Sequence, residues 1–359
     1  VAPYLLGHDN QKPYRRAFVG IFGLVAAALA ACVVLAVRAL GRGLRDQLAA
    51  GGLVAVVPAI LSGSIALTRY DLWPTLLVAV ACLALIRRRP VWAATFAGLG
   101  TAAKLWPVLL LVPVLAAAWR WAGRAAAGRA AAAFTLACGI PFAVALAWSP
   151  HGLLKSIQYQ TNRPMEIETL GATAQVLLHK LGMAGSYMTV HSYGSFNLVG
   201  SAAHTIAIAT SVTGLVLAAA ITLLGIRRIR ARPPEAAASI AIAHVFAAVC
   251  ATMVLGKVTS PQYMLWLLPF PFLIEGRRRY GAAVAILAVS LLTRFDVANF
   301  DSWWGHLDTG PTLIVFARDL LLLGLAFLLV APARRAEVTA GGPARLRVPI
   351  AAPATWRRS

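Results

Sequence analysis

The stretch GLGTAAKLWPVLLLVPV, residues 98–114, places one lysine, Lys104, in the middle of an apolar segment. From Val91 to Ala118 the chain carries no other charged residue. A charged side chain at the centre of a bilayer costs several kcal/mol, so it marks either a functional group or a segment that does not cross the membrane in one piece. The surroundings of Lys104 therefore decide how the chain folds.

The composition indicates a protein that crosses a membrane several times. Of the 359 residues, 60% are hydrophobic and only 13% are charged, and the mean hydropathy is +0.74. Soluble domains carry about 25% charged residues. Eleven apolar runs can be distinguished, at residues 17–37, 47–67, 70–86, 91–103, 105–118, 130–148, 200–226, 237–256, 261–274, 281–293 and 311–331.

Clusters of arginine separate many of these runs. They lie at residues 38–45, 87–89, 120–129, 227–232 and 277–279, and further arginines follow residue 332. The positive-inside rule places such clusters on the cytoplasmic side, so the net charge of +21 reports topology and does not indicate nucleic-acid binding. Consecutive clusters must be separated by an even number of crossings, and the eleven runs meet this condition. The chain is then expected to start outside and to end in the cytoplasm.

Lys104 is expected at the tip of a hairpin. Residues 91–118 have arginine clusters at both ends, so they enter the membrane and return. Each arm is about 20 Å long, whereas the apolar core of a bilayer is about 30 Å thick. The tip is therefore expected on the outer side, below the membrane surface, where irregular backbone is tolerated inside protein or along a water-filled cavity. Pro107 suits the first turn of the returning helix.

Other outer segments show related features. RYDLWP (69–74) shares Leu-Trp-Pro with KLWP (104–107), and KVTSPQYMLW (257–266) marks a third tip, with Pro261 opening the returning helix. In the outer loop 149–199, the segment 166–182 has the spacing of an amphipathic helix that lies on the membrane. The last outer loop, 294–310, contains Arg294, Asp296, Asp301, His306, Asp308 and the pair Trp303/Trp304, which suits either an aromatic belt or a sugar platform.

Charged and polar residues thus gather on the outer side. The candidate site residues are Arg69, Asp71, Lys104, Arg163, Glu166, Lys257, Gln262 and Tyr263. Each has a structural alternative. Arg69 and Asp71 could form an interfacial ion pair, and Lys104 could reach the interface by snorkelling. The 257–263 tip could simply cap a hairpin, and Arg163 with Glu166 could form a solvated loop face. Arg318 and Asp319, adjacent in the last helix, suit a structural role.

Several kinds of chemistry are excluded by missing motifs. The chain has no Walker A loop, no glycine-rich dinucleotide motif, no zinc-ligand spacing and no GxSxG. Its four cysteines lie within apolar runs without close spacing, which excludes a disulfide framework or a metal site. We therefore expect neither a cofactor nor a metal. Basic residues at sunken tips suit the phosphate group of a lipid.

Four stretches together resemble glycosyltransferase family 87, in the GT-C superfamily of integral membrane glycosyltransferases. They are RYDLWPTLLVAVACLALIRRRP, AGLGTAAKLWPVLLLVPVLAAAWR, YQTNRPMEIETLGA (159–172) and TSPQYMLWLLP (259–269). The resemblance implies a GT-C-like helical bundle in the plasma membrane, with its active side outside. Relatives include actinobacterial mannosyltransferases that build phosphatidylinositol mannosides.

The resemblance also implies a reaction. The donor would be a polyprenyl-phosphate sugar, often mannose, and the acceptor a glycolipid or glycan. A carboxylate would deprotonate the acceptor hydroxyl, which attacks the anomeric carbon, and basic residues would stabilise the departing phosphate. Matching motif positions give Arg69, Asp71, Lys104, Arg163, Gln262 and Tyr263.

The resemblance leaves the catalytic base open. GT-C enzymes usually carry it in the first outer loop, after an N-terminal helix, and this chain is expected to begin after that helix. The base is then expected upstream of Val1, in which case this chain would be catalytically incomplete. Within the chain, Asp9 and Asp71 are weak candidates for the base.

The same reading divides the chain into three parts. Residues 1–16 are expected to be the remnant of the first outer loop, 17–331 the membrane domain and 332–359 a basic cytoplasmic tail. Two other functions stay open as alternatives to sugar transfer. One is a flippase for lipid-linked saccharides, and the other is a non-catalytic scaffold that binds polar lipids.

Overall fold

A computed structural model describes residues 11–61, 63–298 and 306–332. This part of the chain contains the α-helices α1 (Gln11–Ala39), α2 (Leu44–Ile60), α3 (Gly63–Thr68), α4 (Leu72–Ile86), α5 (Pro90–Ala103), α6 (Leu111–Trp148), α7 (Pro150–Asn162), α8 (Leu170–Lys180), α9 (Ser201–Ala231), α10 (Ala237–Leu255), α11 (Arg278–Ala298) and α12 (Thr309–Val330). Short 3₁₀ turns lie at Trp106–Leu110, Pro234–Ala236, Pro261–Leu267 and Pro271–Leu273. Strands β1 (Met165–Glu166), β2 (Met188–Ser192) and β3 (Ser195–Val199) form an antiparallel sheet in the order β1-β3-β2.

Six helical segments among the described residues are long and apolar enough to cross a membrane. They are Lys12–Ala39, Trp106–Trp148, Ser201–Ala231, Pro234–Leu255, Arg278–Ala298 and Thr309–Val330. Helix α10 is buried along nearly its whole length and packs against α4, α6, α9 and α12 at the centre of the bundle. The prediction of a helical protein that crosses a membrane several times is confirmed.

The hairpin around Lys104 is present. Helix α5 ends at Ala103, and the chain returns through the 3₁₀ turn Trp106–Leu110, which has Pro107 in its first turn as predicted. The return is packed closely, because a Cβ atom on Gly100 would lie 3.2 Å from the ring of Pro107. Lys104 therefore lies at the junction between two closely packed segments.

Helix α6 consists of two helical segments that meet at a sharp bend. Ala122 has φ −145° and Gly123 has φ +76°, a left-handed conformation that favours glycine. The second segment also packs on α5, since a Cβ atom on Gly98 would lie 2.6 Å from the carbonyl oxygen of Phe134. The predicted runs 105–118 and 130–148 are thus separate arms, with the arginines at 120–129 around the bend.

Prolines explain why residues 261–274, predicted as a membrane helix, form no α-helix. Two mostly buried 3₁₀ turns, Pro261–Leu267 and Pro271–Leu273, follow one another here. A proline inside an α-helix removes a hydrogen bond and clashes with the preceding turn. Pro269 and Pro271 lie where the helix would continue, so the prediction of a helix is wrong for this segment.

The run 47–67 is also not one helix. Helix α2, which contains Pro58 near its end, stops at Ile60, and the short α3 follows. Helix α4 then packs against α1 and α5. The eleven predicted crossings therefore do not correspond to eleven separate long helices in the described ranges.

The predicted outer loop 149–199 has secondary structure of its own. The amphipathic segment 166–182 contains helix α8, which packs against α9 and α12 and leaves Leu178 and Leu181 exposed. The small sheet was not predicted. Its strands are only a few residues long, and they meet in a two-residue hairpin turn in which Tyr193 and Gly194 both have positive φ.

Two segments that were predicted as loops are partly helical in the structure. Residues 11–16, assigned to the first outer loop, form the first turns of α1. Helix α11 continues to Ala298, so Asp296 lies buried inside a helix and not in the last outer loop.

Other predictions fall on residues outside the described ranges. These residues are Val1, Asp9, Asp301, Trp303, Trp304 and the tail from residue 333. The expectation of a base upstream of Val1, and of Asp9 as a candidate for it, therefore stays a prediction.

Candidate functional site

Lys104 lies where the helical backbone stops. Its N–H still donates to the carbonyl of Gly100 at 2.9 Å, but its own backbone is extended, with φ −160° and ψ 138°. The next turn is of the 3₁₀ type and begins around Pro107. The side chain is therefore presented from the tip of the hairpin and not from the face of a continuous helix.

Asp71 is the direct partner of Lys104. It precedes α4 and is buried, yet its carboxylate does not cap that helix. Its Oδ1 accepts a hydrogen bond from Nζ of Lys104 at 2.6 Å and another from Nε1 of Trp266 at 2.7 Å. The Lys104 side chain keeps 19% of its surface exposed. The hairpin tip and the 261–267 turn thus both donate to the carboxylate of Asp71.

Three aromatic rings surround the Lys104 ammonium group. Its Nζ lies 4.6 Å from the ring centroid of Tyr263, 4.8 Å from that of Trp266 and 5.2 Å from that of Tyr70. Tyr263 and Trp266 stack at 3.9 Å because residues three apart lie above one another in a 3₁₀ helix. Cations this close to an aromatic face are attracted by the ring. The rings therefore help to hold a charge in apolar surroundings.

Burial lowers the pKa of Lys104, because the ammonium group loses contact with water. The nearby charges of Arg69 and Arg163 lower this pKa further, and the contact with Asp71 raises it. Lys104 thus lies within electrostatic reach of two other candidate residues.

Arg163 and Glu166 form a second ion pair. Arg163 Nη2 lies 2.9 Å from Glu166 Oε1 and also donates to the hydroxyl of Ser195 at 2.8 Å. Glu166 Oε2 accepts from the N–H of Thr259 at 2.9 Å, and the hydroxyl of Ser260 lies 3.3 Å from both carboxylate oxygens. Burial raises the pKa of Glu166, whereas Arg163 and these donors lower it.

Tyr263 lies between the two ion pairs. Its ring contacts Lys104, and its hydroxyl is within electrostatic reach of Asp71, Glu166 and Arg163. Burial raises the pKa of this hydroxyl, and the two carboxylates raise it further. Tyr263 is therefore a neutral hydrogen-bond donor at physiological pH.

The remaining candidates lie at the edge of this cluster. The carbonyl of Lys257 accepts from the N–H of Glu166 at 2.9 Å, and its ammonium group donates to the carbonyl of Thr161 at 2.7 Å. Gln262 is half-buried next to Tyr263, and Arg69 is exposed. The structure therefore gathers the candidate residues into one region, with Lys257 acting mainly as a link between segments.

Some residues of the region were not predicted. Trp266 binds Asp71 and stacks with Tyr263, and Thr259, Ser260 and Ser195 bind the second ion pair. Tyr263 and Trp266 are three residues apart in the sequence, but this spacing indicates stacked rings only in a 3₁₀ helix. Ser195 lies on β3, a strand that no sequence pattern indicated.

Two surface concavities, of ≈ 490 Å³ and ≈ 310 Å³, are lined by residues of α1 and α7. Among the described residues, no group of three His, Cys, Asp or Glu side chains is arranged to hold a metal ion.

An exposed apolar strip runs next to the cluster. Leu105, Val108 and Val112 are exposed along the segment that returns from the tip, and Trp73 is exposed at the start of α4. Two cations and a tyrosine hydroxyl beside such a strip can bind an anionic group that is attached to an apolar chain. Asp71 and Glu166 are both engaged with cations, so their main effect here is to orient Lys104 and Arg163.

One family of known proteins matches most of the chain. The model of glycosyltransferase family 87 matches residues 10–256, which include both ion pairs. No curated protein and no solved structure matches the chain. The family match covers well over half of the sequence, and the apolar helices indicate a multi-pass membrane protein. The chain therefore belongs to glycosyltransferase family 87.

Proposed function

We propose that this chain transfers a hexose, mannose in the first instance, from a polyprenyl-phosphate donor to a glycolipid or glycan acceptor. The reaction takes place on the outer face of the plasma membrane, in a bundle of the GT-C type. Family membership supports glycosyl transfer in general. The observation that carries the choice of donor is the position of Lys104, a cation at a helix break beside an exposed apolar strip.

A lipid-linked donor fits the two sides of this region. Its phosphate would contact Lys104 and Arg163, and its chain would follow Leu105, Val108 and Val112 into the bilayer. Soluble nucleotide sugars are cytoplasmic, whereas the predicted topology places these residues outside. A donor carried by a lipid removes that mismatch.

The proposed reaction assigns a role to each group of residues. The acceptor hydroxyl attacks the anomeric carbon, the bond to the phosphate oxygen breaks, and the proton of the hydroxyl passes to a base. Lys104 and Arg163 stabilise the negative charge that develops on the leaving phosphate, with Arg69 nearby. Asp71 and Glu166 hold these cations in place, and Tyr263 and Gln262 donate hydrogen bonds to the sugar or phosphate.

Asp71 is a poor general base in this arrangement. Its Oδ1 already accepts two hydrogen bonds, one of them from a cation. A carboxylate oxygen offers about two acceptor sites, so both sites of Oδ1 are already used. We therefore assign Asp71 to orientation, and Asp9 stays a candidate for the base.

The test is transfer of radiolabelled mannose from polyprenyl-phosphate mannose in membranes that contain the full-length protein. We expect labelled glycolipid with the wild type and with Lys155→Ala, a control that removes an exposed lysine of α7. Lys104→Ala should abolish most of the transfer. Passage of the intact labelled lipid across the membrane without transfer would support a flippase instead. Donor binding with neither outcome would support a scaffold.

A further inference from the structure

Arg318, in the last helix, is completely buried between three acidic residues. Its Nε donates to Oδ1 of Asp319 at 2.9 Å, and its Nη1 lies 3.8 Å from Oδ2 of Asp296 on α11. Its Nη2 donates to the backbone carbonyl of Glu168 at 2.6 Å. All four residues are buried. Arg318, Asp319 and Asp296 lie beyond the stretch that the family model matches.

A contribution to the stability of the fold does not by itself explain this cluster. Within the described ranges, Asp319 Oδ2 and Arg318 Nη1 have no hydrogen-bond partner, whereas the carboxyl groups of Glu168 and Asp296 face each other. Four ionisable side chains are therefore buried together. A buried ionic cluster is weak evidence for stability, because well-packed apolar side chains often stabilise a protein as much or more. Its specific contact with a backbone carbonyl suggests that it fixes a position.

The position that it fixes belongs to the short segment 163–169. Glu168 lies two residues after Glu166, which pairs with Arg163. The same segment is bound from other sides, since the N–H of Ile167 donates to the carbonyl of Phe196 and that of Glu166 to the carbonyl of Lys257. The hydrogen bond from Arg318 adds an attachment to α12. The segment is thus held between the sheet, the 257–260 tip and the last helix.

We propose that Arg318 is a positioning residue for the Arg163–Glu166 ion pair. By fixing the backbone at Glu168, it holds the carboxylate of Glu166 against Thr259 and Ser260. This contact in turn aims Arg163 at the region around Tyr263 and Lys104. The effect on sugar transfer rests on the proposed function, whereas the effect on the position of the segment does not.

The first experiment measures hydrogen–deuterium exchange by mass spectrometry on the full-length protein in lipid nanodiscs. Arg318→Lys keeps the charge but shortens the reach to the Glu168 carbonyl. We expect exchange in the peptide that contains residues 165–169 to rise by about tenfold or more, the effect of losing a charge-assisted hydrogen bond. Leu322→Ala is the matched control, because Leu322 is buried one turn further along α12 and contributes only apolar packing.

The control separates positioning from general destabilisation. Leu322→Ala should raise exchange in α12 and leave the 165–169 peptide protected. Equal exchange of that peptide in wild type and Arg318→Lys would overturn the proposal, as would an equal increase in both variants. If Arg318→Lys does not fold, Asp319→Asn replaces it. That variant loosens the Nε contact and should raise exchange in the same peptide by a smaller factor.

The second experiment uses the transfer assay. Arg318→Lys should lower kcat about tenfold or more, whereas Leu322→Ala at matched thermal stability should leave kcat close to wild type. Loss of kcat in both variants to the same extent would contradict a positioning role. Absence of transfer even in the wild type would contradict the proposed function. It would leave the proposed positioning of the segment untouched, because hydrogen–deuterium exchange tests that position independently.

Discussion

At the scale of single residues, Lys104 shows how a charge can be kept in apolar surroundings. Its ammonium group has a carboxylate at 2.6 Å and three aromatic rings within about 5 Å. The sequence predicted the hairpin at Lys104, because arginine clusters flank two short apolar arms, whereas a role of Lys104 in function stays a prediction. It could not predict that Asp71 would be the partner, because that depends on how α4, α5 and the 261–267 turn pack.

We expect Lys104→Ala to lower the rate of sugar transfer roughly ten- to a hundredfold, since a charge-assisted contact is worth about 1.5–3 kcal/mol. Lys104→Arg should retain only part of the activity, because the two cations differ in shape and hydration. The rates are measured at low donor concentration. Wild-type transfer by a folded Lys104→Ala protein would mean that this lysine is only a snorkelling anchor.

The stability of the same variants needs its own control. Lys104→Ala leaves Asp71 as a buried charge without its partner, which can cost about 3–5 kcal/mol. The double variant Lys104→Met/Asp71→Asn removes both charges and should recover the thermal midpoint without recovering transfer. A double variant that regains transfer would contradict the role of Lys104.

The stability of the protein is expected to depend on pH through Glu168. Burial raises its pKa well above the ordinary value, the neighbouring Asp296 and Glu166 raise it further, and the charge of Arg318 opposes this shift. The folded protein thus holds a proton that the unfolded chain loses above about pH 4.3. The free energy of unfolding therefore falls as pH rises from there through the folded-state pKa. Thermal midpoints measured from about pH 5 to about pH 8 should fall more in the wild type than in Glu168→Gln.

The exposed residue Glu235 provides the control for this measurement. Glu235→Gln should follow the wild-type pH dependence, because this change leaves Glu168 and its buried neighbours intact. A Glu168→Gln protein whose midpoint changes with pH as steeply as that of the wild type would contradict the assignment of the proton to Glu168.

At the scale of elements, glycine and proline decide most of what the sequence could and could not predict. Pro107 marked the start of the returning segment correctly, because a first turn tolerates proline. Hydropathy alone made 261–274 look like a membrane helix, whereas Pro269 and Pro271 leave room only for 3₁₀ turns. Asp296 was placed in a loop because of its charge, and only the fold reveals Arg318 beside it.

Gly98 provides a test of the packing between α5 and α6. A Cβ atom there would lie 2.6 Å from the carbonyl oxygen of Phe134, so Gly98→Ala must push the helices apart. Overpacking of this kind costs about 1–3 kcal/mol, and we expect a lower thermal midpoint. In contrast, Gly139→Ala in α6 has nothing within 4 Å and should stabilise the helix by about 0.5–1 kcal/mol. Equal effects of the two changes would contradict the close packing at Gly98.

At the scale of the whole molecule, apolar runs and arginine clusters predict a multi-pass membrane protein, whereas they do not predict the shape of the site. The arginines at 87–89 and 120–129 separate segments as expected, with Gly123 at the bend of α6. Contacts between distant segments, such as that of Trp266 with Asp71, cannot be predicted from the spacing of residues in the sequence. The membrane sidedness of the chain stays a prediction.

Cysteine labelling can test this sidedness. In a variant without native cysteines, Leu105→Cys lies at the exposed side of the hairpin tip and Arg88→Cys in a predicted cytoplasmic cluster. A membrane-impermeant maleimide added to intact cells should label position 105, and position 88 only after permeabilisation. Labelling in the opposite order would contradict the predicted topology.

The stack of Trp106, Trp266 and Tyr263 has an optical consequence. The ring centroids of Trp106 and Trp266 lie 5.3 Å apart, and the two rings are nearly parallel. The ring of Tyr263 also stacks on Trp266, with its centroid at 3.9 Å. Chromophores held this close in a fixed, chiral arrangement couple their electronic transitions. The Lys104 charge, 4.8 Å from the Trp266 ring, adds a local electric field to that transition. The near-ultraviolet circular dichroism of the protein therefore contains a signal from this region, and any ligand that draws the lysine away from the rings changes it without a label.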